Sequence, residues 1–351
     1  MNWQKVIECG GLKTVKPYFA AMNHQAVLDL LKRLGEAVRL QVATSLHSQT
    51  SEQRAAIYQE GADDTIFQID RDVEQVLLPI LEAEAAGLGG IAVIAEGLEA
   101  EILGVPKGGS PAISFLCDPI DGTRGNMYDK RSAFFLAGVA PYSAHAKLSD
   151  IEVAVMVELP TSRAYLSDTL WAIRGKGANR ETLNILTGER RSVLVSPSKA
   201  KTIYQGFGQV VRFFPPGREL LAAIDDEVIE TLLPDAPTGK AMSFEDQYIS
   251  SGGQQYELLV GHDRWVADIR TRLFNSPSFV GKTRGHCCHP YDLAASLIAE
   301  EAGVVLTDAF GEKLDAPMDT TSDIDWIGYA NVTLRDSIEP VLMRAMSRRG
   351  L

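Results

Sequence analysis

Five short apolar runs dominate the first half of this chain: IAVIAE, AISFLCD, AFFLAGVAP, IEVAVMVEL and AYLSD, all between residues 91 and 168. They are rich in β-branched residues and broken by Gly, Pro and Asp. Runs of this kind form strands, and several in succession demand a sheet joined by turns. A sheet in turn needs cover for its apolar faces. Two helical stripes upstream supply candidates. Residues 23–47 line up Val27, Leu31, Leu34, Val38 and Val42 behind a capping residue, Asn23. Residues 70–86 repeat the pattern with Val73, Val76, Leu77, Ile80 and Leu81, with Asp70 and Asp72 at the front and a kink expected at Pro79.

After about residue 185 the character changes. TIYQGFG and RWVADIR read as strands, GRELLAAIDDEVIETLL and QYISSGGQQYELLVGH as helices. PYDLAASLIAEEAG is helical, GVVLTDAFG and WIGYAN are strand-like, and the tail from Thr333 is a helix. Such alternation suggests a layered α/β unit. The 351 residues suit two domains, 1–185 and 186–351.

Composition narrows the function. The formal net charge of -12 argues against nucleic acid or an anionic membrane surface as the main partner. No run of about 18 apolar residues is present, so no membrane span is expected. The opening MNWQKVIECGGLK lacks the apolar core of a signal peptide, so a cytoplasmic location is expected. Four cysteines are too few for a disulfide framework in a chain of this size.

Two of those cysteines lie in GHCCHPYDLAASLIAEEAG. HCCH is a poor zinc signal. In an extended segment His286 and Cys288 face one way, Cys287 and His289 the other, and zinc ligands need wider spacing to turn inward together. A strand end with small buried thiols is the better reading. Asp292 follows in the first turn of a helix opened by Pro290, where alone it reads as a complement to the helix dipole.

The strongest signal is CDPIDGTRG, residues 117–125. A β-run ends in Asp118, and Asp121 follows on the same tight turn. Two carboxylates so close repel unless a cation lies between them, and Mg²⁺ takes oxygen ligands of this type. The Ile120 carbonyl offers a further ligand. Gly122 allows close backbone approach, and the N–H groups of Gly122 and Thr123 can form an anion-binding nest. The Thr123 hydroxyl can orient a water.

Four elements occur in order: DDTIFQIDRDVE with Asp70 and Glu74, VIAEG ending at Glu96, CDPIDGT, and HPYDLAASLIAEEAG. In this the chain resembles the Mg²⁺-dependent, lithium-sensitive phosphatase superfamily of inositol monophosphatases and fructose-1,6-bisphosphatases, from about Asp63 to Gly303. The resemblance implies a two-domain, five-layered αβαβα sandwich and a homodimer. It implies metal ligation by Glu96, Asp118, the Ile120 carbonyl, Asp121 and Asp292, with two or three Mg²⁺ per site. Asp70 would hold a water on the metal. Glu96 and Thr123 would position and deprotonate the attacking water. The N–H groups of Gly122 and Thr123 would hold the phosphate, and Asp121 and Asp292 would also face the substrate.

The chain departs from that pattern in four places. Gly97 follows Glu96 where the family often has a second acid, for which Glu99 or Glu101 are candidates. Tyr291 stands for Trp, and Gly303-Val304 for Gly-Gly. Gly285 stands seven residues before Asp292, where inositol monophosphatases carry an acid that contacts sugar hydroxyls.

Metal chemistry suits the task. Phosphate monoester hydrolysis requires acceleration by as much as ~10²¹. Five carboxylates (Asp70, Glu96, Asp118, Asp121, Asp292) balance two or three Mg²⁺, leaving the loaded site near neutral for an anionic substrate. The expected activity is hydrolysis of a small phosphorylated polyol or sugar. Fructose 1,6-bisphosphate or a 3′-phosphonucleotide is the alternative substrate, and a non-catalytic metal- or phosphate-binding regulator the alternative class. GKT at 281–283 is no P-loop, because position 276 is Ser. Lys282 and Arg284 could bind a second anionic group. RGKGANR, 174–180, reads as a turn between strands, and Trp265 and Tyr256 as core.

Overall fold

A computed structural model describes residues 22–60, 65–98, 100–235 and 237–351. The upstream stripes form helices α1 (His24–Ser48) and α3 (Gln68–Ala85), with a short α2 (Ser51–Arg54) between them. Asn23 caps α1 by accepting from the Ala26 N–H at 3.1 Å. A two-stranded ribbon, β1 (Ile57–Glu60) and β2 (Thr65–Phe67), leads into α3.

All five apolar runs contain strands: β3 (Ile91–Ala95), β5 (Ile113–Asp121), β6 (Ala133–Pro141), β7 (Val153–Leu159) and β8 (Leu166–Ile173). Together with β4 (Glu101–Leu103), β9 (Ala178–Asn184) and β10 (Arg190–Val193) they build an eight-stranded sheet of order β10-β9-β8-β7-β6-β5-β3-β4. Alternate residues of β6 and β7 serve opposite faces. Ala133, Phe135, Val155 and Val157 pack with α1 and α3, while Phe134, Leu136, Ala154 and Met156 belong to a second core. Both faces are therefore buried, which explains runs with no polar alternation.

The second core lies against a four-stranded sheet, β11-β12-β14-β13, made of β11 (Phe207–Val210), β12 (Asp263–Asp268), β13 (Val305–Thr307) and β14 (Trp326–Tyr329). Helices α6 (Ser251–Leu259) and α8 (Ser296–Glu301) lie between the two sheets. Helices α5 (Arg218–Leu232) and α9 (Val332–Ser347) pack together on the outer face of the small sheet. The layers thus run αβαβα. Two short helices complete the set, α4 (Thr123–Met127) and α7 (Arg270–Phe274). No helix among the described residues is long and apolar enough to cross a membrane.

Three expected elements differ. TIYQGFG is strand only from Phe207, and QYISSGGQQ is helix only from Ser251. PYDLAASLIAEEAG is not one helix: a 3-10 turn, Pro290–Leu293, precedes α8. The Asp292 carboxylate accepts from the His289 N–H at 2.7 Å and so holds that first turn tight.

Candidate metal centre

A spacing of three residues puts side chains on opposite faces of a regular strand. Asp118 and Asp121 escape this because β5 is bulged. Asp118 pairs with Leu136 and Asp121 with Phe134, so three steps on β5 match two on β6. The extra residue turns both carboxylates to one side. The Asp118 carboxylate accepts from the Ile120 N–H at 2.9 Å, which fixes the turn. Glu96 arrives beside them because β3 runs parallel to β5, with Ala95 opposite Cys117. Its N–H continues the ladder to the Cys117 carbonyl at 3.1 Å.

Asp292 comes from the 3-10 turn between the sheets, which lies flat on β6. A side chain at Gly138 of β6 would run into the Ala294 carbonyl. Carboxylate oxygens of Asp118, Asp121 and Asp292 all lie within 4.8 Å of one another. This is the one such trio of His, Cys, Asp or Glu side chains among the described residues. Burial and the charges of Glu96, Asp121 and Asp292 push the Asp118 carboxyl well above its ordinary range. Burial and Asp292 do the same to Asp121, against hydrogen bonds from Ser250, Gly252 and Ser251. Metal-free, the trio is electrostatically unfavourable, and a divalent cation would relieve it. The donor set is all oxygen and suits a hard cation.

Asp70, in the first turn of α3, uses one oxygen to accept from the Phe67 N–H at 2.8 Å and the other to accept from the Thr123 hydroxyl at 3.0 Å. That hydroxyl also lies 2.7 Å from the Ile120 carbonyl. Gly122, at φ 93°, sits in the left-handed region and turns the chain into α4. Asp70, Glu96, Asp118, Ile120, Asp121, Gly122, Thr123 and Asp292 therefore all line one cleft.

Ser250 and Gly252 escaped the sequence reading. The Ser250 hydroxyl donates to Asp121 Oδ2 at 2.7 Å and accepts from the Gly253 N–H at 2.7 Å, capping α6. The Gly252 N–H donates to the same carboxylate oxygen at 2.5 Å. The available signal was SSGG at a helix start, where two glycines weaken the helix unless something must approach closely.

The remaining candidates settle elsewhere. Glu74 is buried and pairs with Arg71 at 2.7 Å, lining a neighbouring cavity shared with Asp70 and Glu96. Glu101 is exposed on β4, and Glu99 lies outside the described residues. Arg284 pairs with Asp323 at 2.8 Å. The turn Arg174–Gly177 joins β8 to β9, and its Gly175 and Gly177 N–H groups both bind Glu301 at 2.7 Å. Trp265 is fully buried, and the Tyr256 hydroxyl donates to Asp168 at 2.7 Å. His286 and Cys287 both border the cleft, and the segment is not a regular strand: Cys288 makes an isolated β-bridge to Ile324.

No protein-family model matches the sequence, and no curated protein matches it. Solved structures do match the fold. Leishmania major fructose-1,6-bisphosphatase is similar at TM-score 0.64 and 14% identity, over 93% of this chain and 99% of that one. A gene product described as inositol monophosphatase-fructose 1,6 bisphosphatase is similar at TM-score 0.62 and 16% identity, over 89% and 98%. The extragenic suppressor protein suhB from Bartonella henselae is similar at TM-score 0.61 and 15% identity, over 90% and 98%. The chain thus has the sandwich fold of these proteins from end to end of theirs.

Proposed function

We propose that this chain is a Mg²⁺-dependent phosphomonoesterase that hydrolyses a small phosphorylated molecule with water as the nucleophile. The observation that carries the reading is the convergence of Asp118, Asp121 and Asp292 within 4.8 Å, from two different layers of the fold. Likeness to solved phosphatases supports it.

Glu96, Asp118, the Ile120 carbonyl, Asp121 and Asp292 would hold two or three Mg²⁺. Bound divalent cations acidify a water and neutralise charge on the phosphoryl and leaving oxygens. The chain's own groups do the rest. Ser250 and Gly252 hold Asp121 in one orientation. Thr123 and Asp70 share a proton at Thr123 Oγ1, which orients the attacking water, and Glu96 accepts its proton. The N–H groups of Gly122 and Thr123 receive a phosphate oxygen. Cys287 borders the cleft and is buried. Burial pushes its pKa up to about 12, so it stays protonated and does not form a phosphoenzyme.

The division at about residue 185 gives Asp70 through Thr123 to the first domain and Asp292 to the second. A cytoplasmic location and a homodimer belong to the same reading, and the homodimer rests on the resemblance. The polyol or sugar substrate loses support at Gly285, which has no acid to offer hydroxyls. That favours the alternative of a bisphosphate or nucleotide under the same chemistry. A non-catalytic regulator would have no use for the Thr123–Asp70 pair. Phosphate release from a substrate panel, with and without Mg²⁺, tests the proposal. Mg²⁺-dependent release is expected, and no release from any phosphomonoester would favour the regulator.

A further inference from the structure

The wall facing the carboxylates is built by the segment after β11. Gly285 has no need of glycine for its backbone, since it is not in the left-handed region. It needs glycine for space. A Cβ there would lie 2.6 Å from the Pro215 carbonyl oxygen, 2.9 Å from Phe274 Cζ and 3.0 Å from Pro216 Cδ. The segment Phe213–Pro216 therefore lies against residue 285 and takes the room of any side chain there. It is anchored at its other end, where Arg218 donates to the Phe213 carbonyl at 2.5 Å.

This segment brings two half-buried aromatic rings to the cleft, Phe213 and Phe214, edge to face at 4.8 Å. The His286 ring stands 5.6 Å from Phe214, also edge-on. Arg124, the residue after Thr123, holds its guanidinium carbon 5.2 Å from the Phe214 ring centre. Arg270 lies 4.7 Å from the Phe213 ring centre, but its charge is met by Asp268 through hydrogen bonds of 2.8 and 2.5 Å. The acids lining the cleft are Asp70, bonded to the Phe67 N–H and the Thr123 hydroxyl, and Glu96, Asp118, Asp121 and Asp292, which the proposed function assigns to the metal centre. The hydroxyls of Ser250 and Ser251 are engaged with Asp121 and Cys288. The wall is thus rich in flat π surfaces and poor in acceptors for a ring of hydroxyls.

Resting on the phosphomonoesterase reading, we infer that the wall of Phe213, Phe214, Arg124 and His286 recognises a flat aromatic ring. The substrate is a phosphomonoester whose organic part carries a nucleobase-like ring. Phe214 is the specificity-determining residue. Aromatic and guanidinium faces bind such rings by stacking, without reading their edges.

The test compares adenosine 3′- and 5′-monophosphate with inositol 1-phosphate, glycerol 2-phosphate and fructose 1,6-bisphosphate, all alkyl esters, in Mg²⁺. At least one nucleoside monophosphate should exceed the esters that lack an aromatic ring tenfold or more in kcat/KM. Phe214→Ala should lower the ratio of aromatic to non-aromatic kcat/KM about tenfold, mainly through KM, while Phe214→Tyr keeps it. A polyol phosphate as best substrate overturns the inference. So does preference for the bisphosphate over every nucleotide, which would assign the wall to a second anion. So does an unchanged ratio in a Phe214→Ala protein that melts cooperatively. Binding of unphosphorylated adenosine, followed by NMR line broadening, reads the wall without turnover. Adenosine should broaden in the presence of wild type and less with Phe214→Ala. No difference between the two proteins overturns the inference. Adenosine binding without any phosphate release would instead overturn the phosphomonoesterase reading and leave the ring-binding wall standing.

Discussion

Thr123 Oγ1 lies 3.0 Å from Asp70 Oδ1, joining the end of the bulged strand β5 to the first turn of helix α3. The same oxygen is 2.7 Å from the Ile120 carbonyl, so two acceptors share one hydroxyl proton. If a cation takes the Ile120 carbonyl, the proton is left to Asp70, and a lone pair of Thr123 is aimed at the attacking water. Thr123→Ala should reduce Mg²⁺-dependent phosphate release about 10²–10⁴-fold. Thr123→Ser should restore most of it. Steady-state kcat for the two variants checks this, and equal loss in both would contradict a hydroxyl role.

Asp121 depends on donors from the opposite layer. Ser250→Ala removes the hydroxyl's bond to Asp121 and its cap on the Gly253 N–H, and leaves the Gly252 N–H in place, so a cost of about 1–2 kcal/mol and a partial loss of turnover are expected. Gly252→Ala is harsher. Its Cβ would lie 2.7 Å from Asp121 Oδ2 and from both Leu136 methyls. A loss of about 1–3 kcal/mol in stability and a larger loss of turnover should follow. Urea denaturation beside kcat measurement separates the two effects.

Mutual repulsion in the trio makes cation binding a stability effect. Millimolar Mg²⁺ should raise the melting temperature of the wild type, because the cation binds the folded form and not the unfolded chain. Chelation should reverse it. Asp121→Asn should abolish turnover and most of the Mg²⁺-dependent shift while leaving the metal-free protein at least as stable, since a buried charge is gone. Differential scanning fluorimetry with and without Mg²⁺ reads both.

Cys287 and Cys288 are buried, and burial pushes both thiols up. Neither should react with a thiol reagent at neutral pH until the protein is denatured. Cys287→Ser and Cys288→Ser should keep metal-dependent activity nearly unchanged. A large loss in either, with zinc found in the wild type by elemental analysis, would reinstate a zinc site.

Asp263, at the start of β12, is buried beside Glu257, Asp246, His262 and Arg131, and burial is the main cause that raises its pKa to about 7. The folded state therefore holds this proton more tightly than the unfolded chain. The stabilisation is complete below the ordinary carboxyl range and fades as pH rises from about 4 to about 7. Asp263→Asn should flatten that slope and raise stability at pH 8 by on the order of 1–3 kcal/mol. Melting curves from pH 4 to pH 8 check it.

What could be read beforehand followed burial. The strands β3, β5, β6, β7 and β8 are continuous apolar runs because both faces of the large sheet are covered, and a doubly covered strand announces itself. The strands β9 and β10, ANRETLN and RRSV, are polar and partly exposed near the sheet edge, so they carried no apolar signal. At the site, Asp118 and Asp121 were legible because two acids sit on one turn. Asp292 was legible only through its place in a series. Ser250 and Gly252 reach Asp121 across about 130 positions of sequence, and nothing local in SSGG says which carboxylate they serve. The Phe213–Phe214 wall was hidden for the same reason. Its function depends on the space emptied at Gly285, a contact between segments about 70 positions apart.

Asp292 enters from the helical layer between the sheets, while Asp118 and Asp121 belong to the large sheet. A chain severed in the exposed stretch after β10 would leave four of the five acids on one piece and the fifth on the other. Neither fragment alone could close the ion cage. Its return on mixing would be a sensitive reporter of complementation, because affinity for the cation would be inseparable from the docking of the two pieces.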